Sequence, residues 1–171
     1  MWDVVPAKSS LIIELENPYK QLNEILSKTE NTSFSRISNT FLNDFNSLFE
    51  FLGIEPQEFL QGNRVILSYL NTSNKKLIPV FISFKKNIDE NYLISSVLNK
   101  GYELDERKLD NEVILEFKKD NESHIITYIN NILIYSTSSF TLEDVIKSSK
   151  DSNQLFKNSN RKLFNQVNQS I

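Results

Sequence analysis

Through residues 102–137 of this 171-residue chain the apolar period is two, with Val113, Leu115 and Phe117 on one side of the run and Ile114 and Glu116 on the other. Alternation of that kind belongs to strands, whose successive side chains point to opposite faces. Turn signals at Leu109 to Asn111 and at Asp120-Asn121 divide the stretch into a β-meander. Its best-defined element is the last hairpin, where Asn130-Asn131 separates residues 125–129 from residues 132–136. Asparagine tolerates positive φ, so a two-residue type I′ turn fits and sets Ile129 opposite Ile132. One side of the hairpin then carries Ile125, Thr127, Ile129, Ile132 and Ile134. The other carries His124, Ile126, Tyr128, Leu133 and Tyr135.

The first half of the chain mixes the two periods. Leu11, Ile13 and Leu15 alternate with Glu14 and Glu16 in a strand that stops at Asn17-Pro18, and Tyr19, Leu22, Ile25 and Leu26 follow at helical spacing. Phe34, Ile37, Phe41, Phe45, Leu48 and Leu52 recur every three or four residues, with Gly53 as the C-cap. That stripe could serve as an aromatic ligand box, yet its spacing is simply that of a helix face buried on a sheet. A helical turn at residues 56–61 precedes strands at 64–70 and 77–84. Pro79 cannot donate to a ladder, which predicts that the second of these strands lies at a sheet edge or bulges there. A helix over residues 88–99, with Tyr92, Leu93, Val97 and Leu98 in register, ends at Lys100-Gly101. Thr141-Leu142-Glu143-Asp144 has the form of a capping box and opens another helix to about Lys150.

These elements predict an α+β fold: a mainly antiparallel sheet of about six to seven strands, ending in the C-terminal meander, with helices packed on one face. Residues 1–150 form the globular domain. Residues 151–171, with Leu155, Phe156, Leu163, Phe164 and Val167 thinly spread, read as a helical extension that continues into a longer parent chain.

Composition closes several functional classes. Without cysteine there are no disulfides, thiolate nucleophiles or cysteine-based zinc sites, and the single histidine, His124, leaves a transition metal only carboxylates for company. No metal, cofactor-binding or catalytic residue is therefore assigned. Gly53, Gly62 and Gly101 stand too far apart for a phosphate-binding loop. The net charge of −3 gives no field for nucleic acid, so the aromatic and basic runs at residues 81–86 and 117–119 read as solvated strand ends. The apolar runs fall far short of the roughly 20 residues that span a bilayer. A pair of carboxylates meeting only in three dimensions, as in a glycosidase, leaves no linear motif.

The opening segment, Val4-Val5-Pro6-Ala7-Lys8-Ser9-Ser10-Leu11-Ile12-Ile13-Glu14-Leu15, resembles the start of uncharacterised envelope proteins of Bacteroidetes-type bacteria. Near the end, residues 128–139 followed by Leu142-Glu143-Asp144-Val145-Ile146 are similar to those proteins' pattern of hairpin, serine cluster and helix, with Asn131 where glycine is usual. The resemblance implies an extracytoplasmic domain, periplasmic or at the cell surface, cut from a longer chain. It carries no catalytic residues.

The functional expectation is a non-enzymatic binding or scaffold module of the bacterial envelope, whose partner is another protein or the downstream part of the same chain. The alternatives are a hydrolase or carbohydrate-active fragment using carboxylates brought together by the fold, and a carrier of a small apolar ligand. The candidate interaction face is the second side of the last hairpin, His124, Ile126, Tyr128, Leu133 and Tyr135. A solvated face would carry Lys, Glu or Thr at most of these places, so the mixture predicts partial cover. Either a C-terminal helix bearing Leu163, Phe164 and Val167 covers it, or it is a docking surface.

Overall fold

The computed structural model describes residues 1–6, 8–21, 24, 35–71, 77–84 and 89–150. After a short 3-10 turn at Trp2–Val4 come β1 (Ser9–Leu15), α1 (Ser35–Leu52), α2 (Pro56–Leu60), β2 (Val65–Asn71) and β3 (Leu77–Phe84). Then follow α3 (Glu90–Asn99), β4 (Glu103–Leu109), β5 (Glu112–Lys119), β6 (Glu122–Ile129), β7 (Ile132–Ser136) and α4 (Ser139–Lys150). Residues 18–21 are helical as read from Pro18 and Tyr19. Leu22, Ile25, Leu26 and Phe34, the side chains of Ile37 and Phe41, and the C-terminal extension lie outside the described residues.

The seven strands of the described residues form one antiparallel sheet in the order β1-β2-β3-β7-β6-β5-β4, which is the α+β class that the sequence predicts. From β3 the chain crosses through α3 to the far edge and returns by the meander, so that β7 closes the sheet against β3. The turns are built as their residues require. Asn130 and Asn131 have φ of 49° and 62°, and Ile129 pairs with Ile132. Asp110 and Asn111 between β4 and β5, and Asp120 between β5 and β6, also have positive φ, where short polar side chains are best tolerated.

Both faces of the sheet are covered. On one, Val65, Leu67, Phe81, Leu115, Phe117, Ile126 and Leu133 pack against Phe45, Leu48, Phe49 and Leu52 of α1, with α2 and α3 alongside. On the other, Ile66, Val80, Ile82, Ile114, Ile125 and Ile134 pack against Leu142, Val145 and Ile146 of α4 and against Val4 and Val5. The expectation of helices on one face thus holds for α1, α2 and α3, and α4 is the correction. Two covered faces explain why β2 is buried from Val65 to Leu70, because a strand with no wet side has no need to alternate polar with apolar.

Two further expectations need correcting. β3 lies between β2 and β7, not at an edge. Pro79 is tolerated there because its pairing with β7 starts only at Val80↔Ser136, while on the other side Tyr69 lies opposite it. The Pro79 carbonyl accepts from Ser136 Oγ at 3.0 Å, so its nitrogen, on the same edge, faces the place where β7 has already stopped. The C-terminal helix begins at Ser139, ahead of the expected Thr141. Ser138 caps it, with Oγ accepting from the Thr141 amide at 3.4 Å, and Glu143 pairs with Arg107 of β4 at 2.8 Å. The Gly53 C-cap is as read, and α3 starts later than the expected residue 88, at a cap supplied by Asp89. Asp89 accepts from the amides of Asn91 and Tyr92, and Gly53, with φ of 68°, ends α1 where an added Cβ would come within 2.7 Å of Ser96 Oγ.

Phe45 is 3% exposed and meets Phe81 edge-on, with ring centroids 5.3 Å apart. Phe45→Ala should cost about 3–5 kcal/mol in denaturant unfolding through lost transfer energy and a residual cavity; a cost below about 1 kcal/mol would contradict this packing. At the hairpin, Asn131→Ala should lose about 1 kcal/mol, because alanine resists the left-handed region, whereas Asn131→Gly should leave the unfolding midpoint equal or higher.

Candidate functional site

Alternation along β6 places His124, Ile126 and Tyr128 on the α1 side, and pairing with β7 sets Ile126 opposite Tyr135 and Tyr128 opposite Leu133. The five residues of the candidate interaction face therefore do lie together. They are not a docking surface, however: His124, Ile126, Leu133 and Tyr135 are buried and Tyr128 is half-buried. What covers them is the helical layer of α1 and α3, so the stripe with Phe45 and Leu48 and the hairpin face turn out to be the two sides of one core. The expected cover, Leu163, Phe164 and Val167, lies outside the described residues.

Toward the start of β6 this core opens into a cleft of about 550 Å³, well within the size range of small-molecule sites. His124 and Tyr135 form its floor, Asp44, Ser47 and Glu50 of α1 one wall, and Tyr102 and Glu122 the other. The His124 ring lies flat against Phe51, with centroids 4.1 Å apart and planes within 6°. Its Nδ1 is 2.7 Å from Tyr135 Oη, and its Nε2 is 3.5 Å from Tyr102 Oη and 3.8 Å from Glu122 Oε2. Tyr102 Oη in turn donates to Glu122 Oε2 at 3.0 Å. Across the cleft, Tyr69 Oη donates to Asp44 Oδ2 at 3.2 Å.

Burial sets the charge states. Desolvation holds His124 below the ordinary histidine pKa, against the opposing pull of Glu122. Desolvation likewise raises the Asp44 carboxyl, with the Tyr69 hydrogen bond working the other way. Tyr135 is pushed well above the usual phenol value by burial first and then by Asp44 and its neighbours, so it stays a neutral hydroxyl. The Lys100 ammonium is committed elsewhere. It donates to the backbone carbonyls of Glu50 and Phe51 at the end of α1, the latter at 3.1 Å, which ties α3 to α1 and satisfies carbonyls a helix end leaves open. No group of three or more metal-ligating side chains occurs among the described residues.

Asp44, Tyr69 and Tyr102 were not singled out from the sequence. Asp44 had a signal: it sits beside Phe45 and between Phe41 and Leu48 at helical spacing, an acid on the edge of the buried stripe. Tyr102 had none, because it precedes β4 and reaches the cleft only through the fold. Of the aromatic residues in the two basic runs, Phe81 and Phe117 are core residues and Phe84, at the end of β3, is exposed. Comparison with family models, with curated proteins and with solved structures returns no match for this chain, and the resemblance at its two ends gains no support from them.

The two shifted groups act on stability with opposite signs. With its folded pKa lowered, His124 gives its full contribution above the unfolded value of about 6.5 and loses it as pH falls toward the folded value. Asp44, with its folded pKa raised, is relieved by acid. The urea midpoint should fall between about pH 8 and about pH 5, and His124→Gln should flatten that fall. An unchanged slope in the variant would show that His124 does not titrate as its burial implies.

Proposed function

We propose that this chain is a non-enzymatic binding module whose ligand is a small polar molecule seated in the cleft between α1 and the ends of β6 and β7. The cleft itself carries this reading. It is open, lined by carboxylates, hydroxyls and the Asn121 amide, and floored by aromatic rings, the mixture that orients a polar ligand. The groups on its floor are arranged for recognition over reaction: Tyr135 is held as a neutral hydroxyl, and both nitrogens of His124 face protein partners. A scaffold docking on a flat apolar surface fits less well, because among the described residues the most exposed large apolar side chains, Phe140 on α4 and Tyr92 on α3, sit on helices that cover opposite faces of the sheet. An apolar-ligand carrier fits less well too, since Phe45 packs ring against ring with Phe49 and Phe81. Placement in a bacterial envelope rests on the two terminal sequence patterns alone.

A hydrolase is the second reading, favoured by one observation. The cleft holds a half-buried carboxyl, Asp44, raised by desolvation, and an exposed carboxylate, Glu122. Such a difference in environment is what separates a general acid from its ionised partner.

Backbone amide shifts on titration with a library of small polar fragments should move at Asp44, Ser47, Asn121 and Thr137. Ser47→Trp, a substitution at an exposed helix position that fills the cleft, should abolish those shifts while leaving the unfolding midpoint in place. Shifts that persist in the plugged variant would move the site elsewhere. Turnover of chromogenic glycosides or esters, lost in Asp44→Asn, would replace the binding reading with the hydrolytic one.

A further inference from the structure

The four groups on the floor and one wall of the cleft form a single chain of hydrogen-bonding atoms, Tyr135 Oη, His124 Nδ1 and Nε2, Tyr102 Oη and Glu122 Oε2. Their chemistry fixes the direction of the chain. A carboxylate only accepts, so the histidine nitrogen turned toward Glu122 carries the proton of the neutral ring. Nδ1 is then the lone pair, and the Tyr135 hydroxyl must donate to it. With its hydrogen spent on His124, Tyr135 presents only oxygen lone pairs to its surroundings.

We propose that His124 is an acid-operated switch that reverses the Tyr135 hydrogen bond and so converts the cleft floor from an acceptor surface into a donor surface. This deepens the binding reading and rests on it, because the cleft is where the switch is read out. When solvent delivers a proton to Nδ1, two hydrogens can no longer share the 2.7 Å gap. Nδ1–H becomes the donor, Tyr135 Oη the acceptor, and the Tyr135 hydrogen rotates away from the ring. The imidazolium also adds a positive charge beside Glu122, at 3.8 Å from Nε2, and draws that carboxylate away from Tyr102.

The groups around the ring agree with a switch that is off at neutral pH. From β6 itself comes Glu122, and from β7 Tyr135; Tyr102 stands ahead of β4, and α1 brings Phe51, Asp44 and Glu50. Lys100 at the end of α3 donates to α1 carbonyls, and Lys119 of β5 donates to the Lys100 carbonyl while lying 5.6 Å from the Tyr102 ring centre. Burial against Phe51 favours the neutral ring, and the acids favour the charged one. Desolvation is the larger influence, so the ring is neutral until the medium turns acidic. A ligand that offers a hydrogen-bond donor to the floor is thus released on acidification, and one that offers an acceptor is taken up.

His124 is the sole histidine, so its imidazole resonances are read without ambiguity. In a pH titration of the whole chain followed by NMR, the Tyr135 ring signals and the amides of the cleft should move with the same midpoint as His124. Tyr135→Phe removes a partner that both states of the ring use, and because the bond from the charged ring is the stronger of the two, it should lower that midpoint by about half a pH unit or more. Glu122→Gln should lower it. Tyr135 signals that do not follow His124, or a midpoint unmoved in Tyr135→Phe, would overturn the switch. Fragment binding that persists in that case leaves the binding reading standing; a chain that titrates as described but binds no fragment at either end of the pH range keeps the switch and loses the binding reading.

Discussion

The pairing of β3 with β7 is the contact on which the rest of this molecule depends. It joins the sheet made by β1, β2 and β3 to the meander of β4 to β7, and both hydrophobic layers run across that seam. Phe81 on β3 stands opposite Tyr135 on β7 and faces α1, whereas Ile82 stands opposite Ile134 and faces α4. If the seam slipped by one residue, each strand would exchange its two faces, and α1 and α4 would both lose their matched surfaces. Register at this one junction therefore sets the core and the position of the cleft, since Pro79, Tyr135 and Thr137 reach the cleft from its end.

The cleft exists because the layers do not finish together. Along α1 the buried stripe of Phe45, Leu48 and Leu52 is flanked by Asp44 and Ser47, so one side of its second half turns polar groups toward the strand ends. Beneath them the sheet contributes Tyr69, His124 and Tyr135 in place of the aliphatic side chains found further along the same strands. Each of these rings is apolar enough to continue the core and carries a polar atom that needs a partner. They bond to Asp44 and to one another, which is the solution open to polar atoms in a place too dry for free hydration.

Much of the fold was legible in the sequence because it is written in local rules. Period two in the meander, positive φ at Asn130-Asn131 and Gly53 after the Phe stripe all act within a few residues, and each appears in the structure. What was not legible depends on partners distant in sequence. Pro79 looked like an edge signal because nothing local says that β7 ends one residue short of it. Thr141, read as a helix cap, is instead the residue whose amide the Ser138 hydroxyl holds, so the helix starts a turn earlier than the four-residue pattern suggests. The hairpin face was grouped correctly, yet its cover was sought downstream. The Phe stripe that covers it had been read separately, as a helix on an unspecified sheet.

Chain order gives the seam a further consequence during synthesis. β3 leaves the ribosome well before β7, with α3 and three strands of the meander still to be made, so for that interval Val80, Phe81 and Ile82 border a strand with one open ladder edge. Local turns let the meander assemble quickly, but the closing pair is non-local and must wait for loop closure. A nascent chain stalled in this interval exposes an apolar template for intermolecular strand pairing, and β7 acts as the internal strand that quenches it.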